Sequence, residues 1–117
     1  MFEFDVAAGA KVPAAHSHDG YEEMLYGLAG VLTMTVDGRR SEIGPGDVLC
    51  ITRGVVHRFD NLHSTGTKTL AVITPGILGP GYFREMAAVL KAAAGGPPDP
   101  AAIAVVMRRH GLTPASV

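Results

Sequence analysis

The residues of this chain best suited to chemistry are three histidines and a carboxylate: His16, His18, Glu23 and His57. Side chains two apart on a strand point to the same face, so His16-Ser17-His18 sets two imidazoles side by side, one edge of a metal site. Asp19-Gly20 then supplies a bend, and the alternation that follows sends Glu23 and Leu25 to one side. Glu22 competes with Glu23, because both spacings after His18 are possible. A carboxylate turned into an apolar interior is costly unless it is paired or bound to a cation. His57 would complete a set of three nitrogens and one oxygen. Such a set suits one divalent transition metal (Fe, Mn, Ni, Cu, Co or Zn) better than Ca or Mg, which prefer all-oxygen shells. An octahedral ion with four protein ligands would keep two neighbouring positions for water, O2 or a chelating substrate.

Other reactive side chains read as bystanders. His63 lies in a polar loop and His110 at a helix end, neither with a partner in the sequence. Cys50 reads as a small buried hydrophobe without a role. Arg58 has the opposite parity to His57, so Arg53 and Arg58 read as a solvated face rather than as anchors for an anion. Leu25, Met34 and Phe59 share the parity of ligands or core positions and are candidates for the apolar wall of a substrate pocket, with plain core packing as the alternative.

The elements that must position these groups are mostly strands. From Phe2 to about Thr74, short runs of β-formers are broken by glycine and proline every 8 to 12 residues or so, the pattern of an all-β sandwich or barrel. Val31 to Val36 ends at Asp37-Gly38, suited to a two-residue hairpin, with Leu32, Met34 and Val36 expected in the core. Val48-Leu49-Cys50-Ile51, apolar on both parities, is expected to be a central strand. Thr69 to Thr74 is expected to be the last strand, stopped by Pro75-Gly76. Beyond Gly81, Phe83, Met86, Val89 or Leu90, and Ala93 recur at helical spacing, which predicts a helix over about 82–94. Asp99-Pro100 then reads as an N-cap followed by proline at the first helical position, opening a second helix to about His110 with Gly111 just past its end. The division expected is residues 1–81 as a barrel and 82–117 as a helical tail packed on it, one domain overall, the tail covering an exposed barrel edge.

With 117 residues, 47% hydrophobic, 18% charged and a formal net charge of -1, the chain reads as one globular domain without the basic excess of a nucleic-acid binder. Its single cysteine forms no internal disulfide, its first residues lack a signal-peptide pattern, and uncharged runs such as Met24 to Val36 are shorter than the roughly 18–20 residues of a spanning helix. A cytoplasmic location is therefore expected, with no membrane and no nucleic acid among its partners.

At this point the sequence resembles the cupin superfamily, and its later part, Thr74-Pro75-Gly76 followed by Tyr82-Phe83-Arg84-Glu85 and then Gly96-Pro97-Pro98-Asp99-Pro100, looks like the end of small single-domain cupins related to quercetin dioxygenases. Gly9, His16, His18, Glu23 and Gly30 follow the first cupin motif with one extra residue between Gly9 and His16, and Gly46, Gly54, His57 and Asn61 follow the second, with Thr52 where proline is usual. Of the two competing carboxylates only Glu23 lies at the motif's distance before Gly30. The resemblance covers about residues 5–76. It implies a double-sheet jelly-roll barrel of six to eight strands with one metal inside, held by His16, His18, Glu23 and His57. It also implies pairing as a homodimer.

The function expected is a small metal-dependent oxygenase acting on a small metal-chelating organic substrate, with Glu23 able to leave the metal and act as a catalytic base. Whether the protein is an enzyme at all stays open. An isomerase, lyase or decarboxylase would use the same site without consuming O2, and a non-catalytic module would hold a metal or small ligand for sensing or storage.

Overall fold

Alternating apolar side chains build two antiparallel sheets whose inner faces meet. The computed structural model describes residues 1–10 and 14–115. Its strands are β1 (Phe2–Val6), β2 (His16–His18), β3 (Glu22–Ala29), β4 (Leu32–Val36), β5 (Arg39–Ile43), β6 (Val48–Ile51), β7 (His57–Asp60), β8 (Thr67–Thr74) and β9 (Leu112–Pro114), with helices α1 (Pro80–Ala92) and α2 (Pro100–Arg109) before β9. One sheet runs β1-β8-β3-β6 and the other β5-β4-β7-β2-β9. The architecture is an all-β double-sheet barrel with a C-terminal helical extension. Among the described residues no helix is long and apolar enough to cross a membrane.

Val6, Leu25, Leu32, Met34, Ile43, Ile51 and Ala71 form the core between the sheets, with Val36 packed at its margin. Full burial of a side chain the size of Leu or Met is worth roughly 1.5–3 kcal/mol. A second cluster, Tyr21, Ile73, Tyr82, Met86, Val106, Met107 and Leu112, joins the helices to the barrel. Asp99 caps α2 by accepting from the backbone N–H of Ala101 at 3.0 Å. Past α2, Gly111 takes the left-handed backbone (φ 79°) that turns the chain into β9, a strand that adds to the open side of β2. The tail, expected from the sequence to hold two helices and no strand, thus also covers the sheet edge with a strand of its own; residues 116–117 lie outside the described residues.

Two expectations fail together. β6 is an edge strand, hydrogen-bonded to β3 alone, and only Ile51 is buried there, while Val48 and Cys50 are exposed. Apolar residues on both parities do not bury a strand on both faces here, because its outward side chains lie beside Met24 and Tyr26, also exposed. Cys50 is therefore a surface thiol.

Gly30 shows why the turn between β3 and β4 tolerates no side chain. Its φ is +69°, and a Cβ there would stand 2.3 Å from the carbonyl oxygen of Gly66. Because that contact is to backbone, Gly30→Ala is expected to destabilise the fold by roughly 1–3 kcal/mol, read as a lower urea midpoint with unchanged slope. An unchanged midpoint would mean that the turn relaxes freely.

Candidate metal centre

The two sheets bring together what the chain keeps apart. In the second sheet His16 stands directly opposite His57 in the β2–β7 register, and His18 is on the same face of β2. Ring centroids lie 5.2 Å apart for His16 and His18, 4.7 Å for His16 and His57, and 4.6 Å for His18 and His57. One nitrogen from each ring falls within 4.8 Å of the other two, a group that could hold a metal ion. Glu23 arrives from the opposite sheet, between Ile51 and Ile73 in register. Its Oε1 is 3.7 Å from His57 Nε2, so it approaches the imidazole group from the His57 side. Glu22 points outward, where it accepts from Arg53 at 3.0 Å.

Backbone carbonyls orient two of the rings. Nδ1 of His16 is 2.9 Å from the carbonyl of Ala14, and Nδ1 of His57 is 3.0 Å from that of Val55. A proton on each Nδ1 donates to that carbonyl and leaves Nε2 with its lone pair, the arrangement ligating histidines use. His18 lies against the fully buried ring of Tyr21, centroids 4.6 Å apart, and its buried Nδ1 has no hydrogen-bond partner. Among the described residues nothing satisfies this nitrogen, and the donor set, neutral nitrogens with a carboxylate beside them, fits a divalent transition ion.

The electrostatics agree. Burial, reinforced by the neighbouring imidazoles, lowers His16 to about 4 and His18 to about 3. Burial lowers His57 as well. All three are neutral at pH 7, as a metal requires. Burial raises Glu23 to about 7, so its carboxyl holds or releases a proton close to neutrality, which suits a group that exchanges protons with a ligand.

These side chains open onto a cavity of about 310 Å³ whose lining includes Leu25, Met34 and Phe59. Leu25 and Met34 also belong to the core, so wall and core are the same residues seen from two sides. Spacing alone missed Phe2, Phe4, Tyr82 and Phe83, which also line it. The same-face placement of Phe2 and Phe4 was visible in the sequence, but which cavity they face depends on where β1 and α1 dock. Asn61, His63, His110 and Arg58 lie outside the cavity lining. Asn61, buried, donates to the carbonyls of Val6 and Thr65 at 3.0 and 2.8 Å. His63 pairs with Glu42 at 3.1 Å on the surface, His110 contacts Glu85, and Arg58 lies 3.4 Å from Asp60.

Comparison with known proteins agrees with this geometry. The chain is 37% identical over 71 residues to quercetin 2,3-dioxygenase from Bacillus subtilis, an alignment covering 61% of this chain and 20% of that enzyme. The chain thus spans about a fifth of the curated relative it matches. A predicted oxalate decarboxylase from Thermotoga maritima superposes with a TM-score of 0.57 at 30% identity, covering 61% of each chain. A sugar phosphate isomerase of the cupin superfamily from Silicibacter pomeroyi superposes with a TM-score of 0.56 at 25% identity, over 61% of this chain and 46% of that one. The family model described as cupin domain matches residues 2–73, a span that takes in the paired histidines of β2, Glu23 and His57, and the chain accordingly belongs to the cupin family.

Proposed function

We propose that this protein is a metal-dependent cupin enzyme, an oxygenase that acts on a small organic molecule able to chelate one divalent transition ion. The observation that carries this is the convergence of three neutral imidazoles from one sheet and a buried carboxylate from the other on a cavity of about 310 Å³. The similarity to a quercetin 2,3-dioxygenase favours oxygen chemistry among the reactions such a site can run.

His16, His18 and His57 would hold the ion, with Glu23 as fourth ligand. When bound, the ion supplies Lewis acidity and, if redox-active, a path for electrons between substrate and O2. The chain's own residues do the rest. Glu23 accepts the proton of a substrate hydroxyl on a carboxylate oxygen, and its burial between Ile51 and Ile73 favours the neutral acid that results. Leu25, Met34 and Phe59 exclude water from the substrate's far side and hold its body against the reacting end.

The test combines metal content with an oxygen electrode. Protein loaded anaerobically with Fe(II), Mn(II), Ni(II) or Zn(II) is expected to retain about one ion per chain, and a redox-active form to consume O2 when given chelating organic compounds, neutral and anionic. Wild-type protein that retains no transition metal would overturn the proposal. Turnover without O2 uptake would replace it with a redox-neutral isomerase, lyase or decarboxylase, a reading favoured by the names of the two structural neighbours. Metal retention with no turnover of any compound would leave a non-catalytic binding module.

A further inference from the structure

The half of the cavity away from the histidines has a chemistry of its own. Its wall joins distant parts of the chain: Phe2 and Phe4 from β1, Phe59 from β7, and Tyr82, Phe83 and Met86 from α1. The rings form a continuous surface. Phe2 meets Phe83 edge-on at 4.8 Å between centroids, Phe4 lies 5.3 Å from Phe59, and Tyr82 lies 5.1 Å from Phe83. Phe83 is 40% exposed and Tyr82 only 6%, so Phe83 stands at the rim and Tyr82 deeper.

Charge narrows what such a wall can accept. No lysine or arginine lines the cavity among the described residues, and the acidic groups that do are Glu23 and Asp5. Lys68, 3.2 Å from the Asp5 carboxylate, lies outside the lining. An anion entering here would meet carboxylates and find no cation among the described residues, whereas a buried charge needs a partner. A neutral apolar body gains instead by leaving water for a surface of aromatic rings. Size sets a further bound. The volume of about 310 Å³ is roughly twice that of a 150 Å³ cavity that takes up one benzene, which leaves room for about a dozen non-hydrogen atoms, the size of two fused rings.

We propose that this pocket selects a flat, neutral, mainly aromatic molecule of about two fused rings that presents one or two oxygens to the histidine end, and that Phe83 of the tail helix is a specificity-determining residue. The placement of the oxygens rests on the metal centre proposed above; recognition of the body does not.

The test is therefore equilibrium binding to metal-free protein. The probe is 2,3-dihydroxynaphthalene, a neutral two-ring compound with adjacent hydroxyls, set against oxalate and glucose 6-phosphate by calorimetry. The naphthalenediol is expected to bind with a Kd of roughly tens of micromolar, and the two anions not to bind. Phe83→Ala is expected to weaken the diol about tenfold, and Phe83→Leu to restore most of the loss. Because Phe83 is partly exposed, both variants are expected to fold, which their melting curves will report. Oxalate or glucose 6-phosphate binding as tightly as the diol would overturn the proposal. So would absence of diol binding, or wild-type affinity in Phe83→Ala. Binding of the diol by a chain that fails to retain metal would sink the metal centre and leave the pocket's selectivity standing.

Discussion

Replacing His57 with alanine is expected to lower the affinity for a divalent transition ion by at least about a hundredfold. Removing even a group that merely orients a ligand costs some 10–100-fold, and His57 is itself one of the three converging nitrogens. It is also the residue that links the two sheets at the site, facing His16 across β2–β7 and Glu23 across the cavity. Metal retained through gel filtration, followed by competition with a coloured chelator, measures the effect. A second readout is thermal: an ion at about a hundred times its Kd stabilises the wild-type fold by about 2.7 kcal/mol, and that shift should vanish in the variant. His63→Ala, which removes a surface histidine paired with Glu42, serves as the control and should bind metal like the wild type. A His57→Ala protein with undiminished affinity would remove His57 from the ligand set.

Acid is expected to weaken metal binding about tenfold per pH unit between about pH 7 and pH 5, through one group. Burial places Glu23 at about 7 instead of 4.5, so across this window the carboxyl must release a proton before it can ligate. His16 and His18 are held low by burial, at about 4 and about 3, and so add little to the slope there, and burial lowers His57 as well. Calorimetry in buffers of different ionisation enthalpy should show up to one proton released per ion bound, and Glu23→Gln should flatten the profile above pH 5. A steep profile that persists in Glu23→Gln would assign the titration elsewhere. The metal-free fold responds with opposite signs to the two kinds of group. The raised Glu23 contributes stability that is fully present below its unfolded value of 4.5 and is lost as pH rises towards 7. The lowered His16 and His18 contribute stability that is present above 6.5 and is lost as pH falls towards about 4 and about 3 respectively.

What the sequence made legible is whatever local periodicity and turn chemistry dictate. Period-two spacing places His16 and His18 on one face, and Asp37-Gly38 closes the β4–β5 hairpin with both residues at positive φ. Asp99 and Gly111 bracket α2 as their backbone preferences require. Deciding between Glu22 and Glu23 needed motif spacing, and the geometry gives its physical reason, since one side chain faces Arg53 and solvent while the other enters the barrel. What stayed hidden depends on which element lies beside which. Nothing local in Val48 to Ile51 says that only β3 will pair with it. Likewise, Leu112-Thr113-Pro114 carries a proline and only three residues, and becomes a strand because β2 leaves an edge for it. The aromatic wall arises only when the first strand and the first helix, some eighty residues apart, converge.

The strand β2 carries two of the three imidazoles yet shares a single register pair with β7, His16 with His57, and three with β9. Flanking contacts extend that union: the backbone N–H of Asp19 donates to Gly111, that of Ala115 to Ala15, and the Thr113 hydroxyl to the Asp19 carboxylate. Residues 111–115 are therefore a splint for the ligand-bearing strand. Tail docking and ion binding then become thermodynamically linked events: to whatever extent the docked tail pre-aligns His16 and His18 for an ion, a bound ion tightens the tail's hold on the barrel by the same factor.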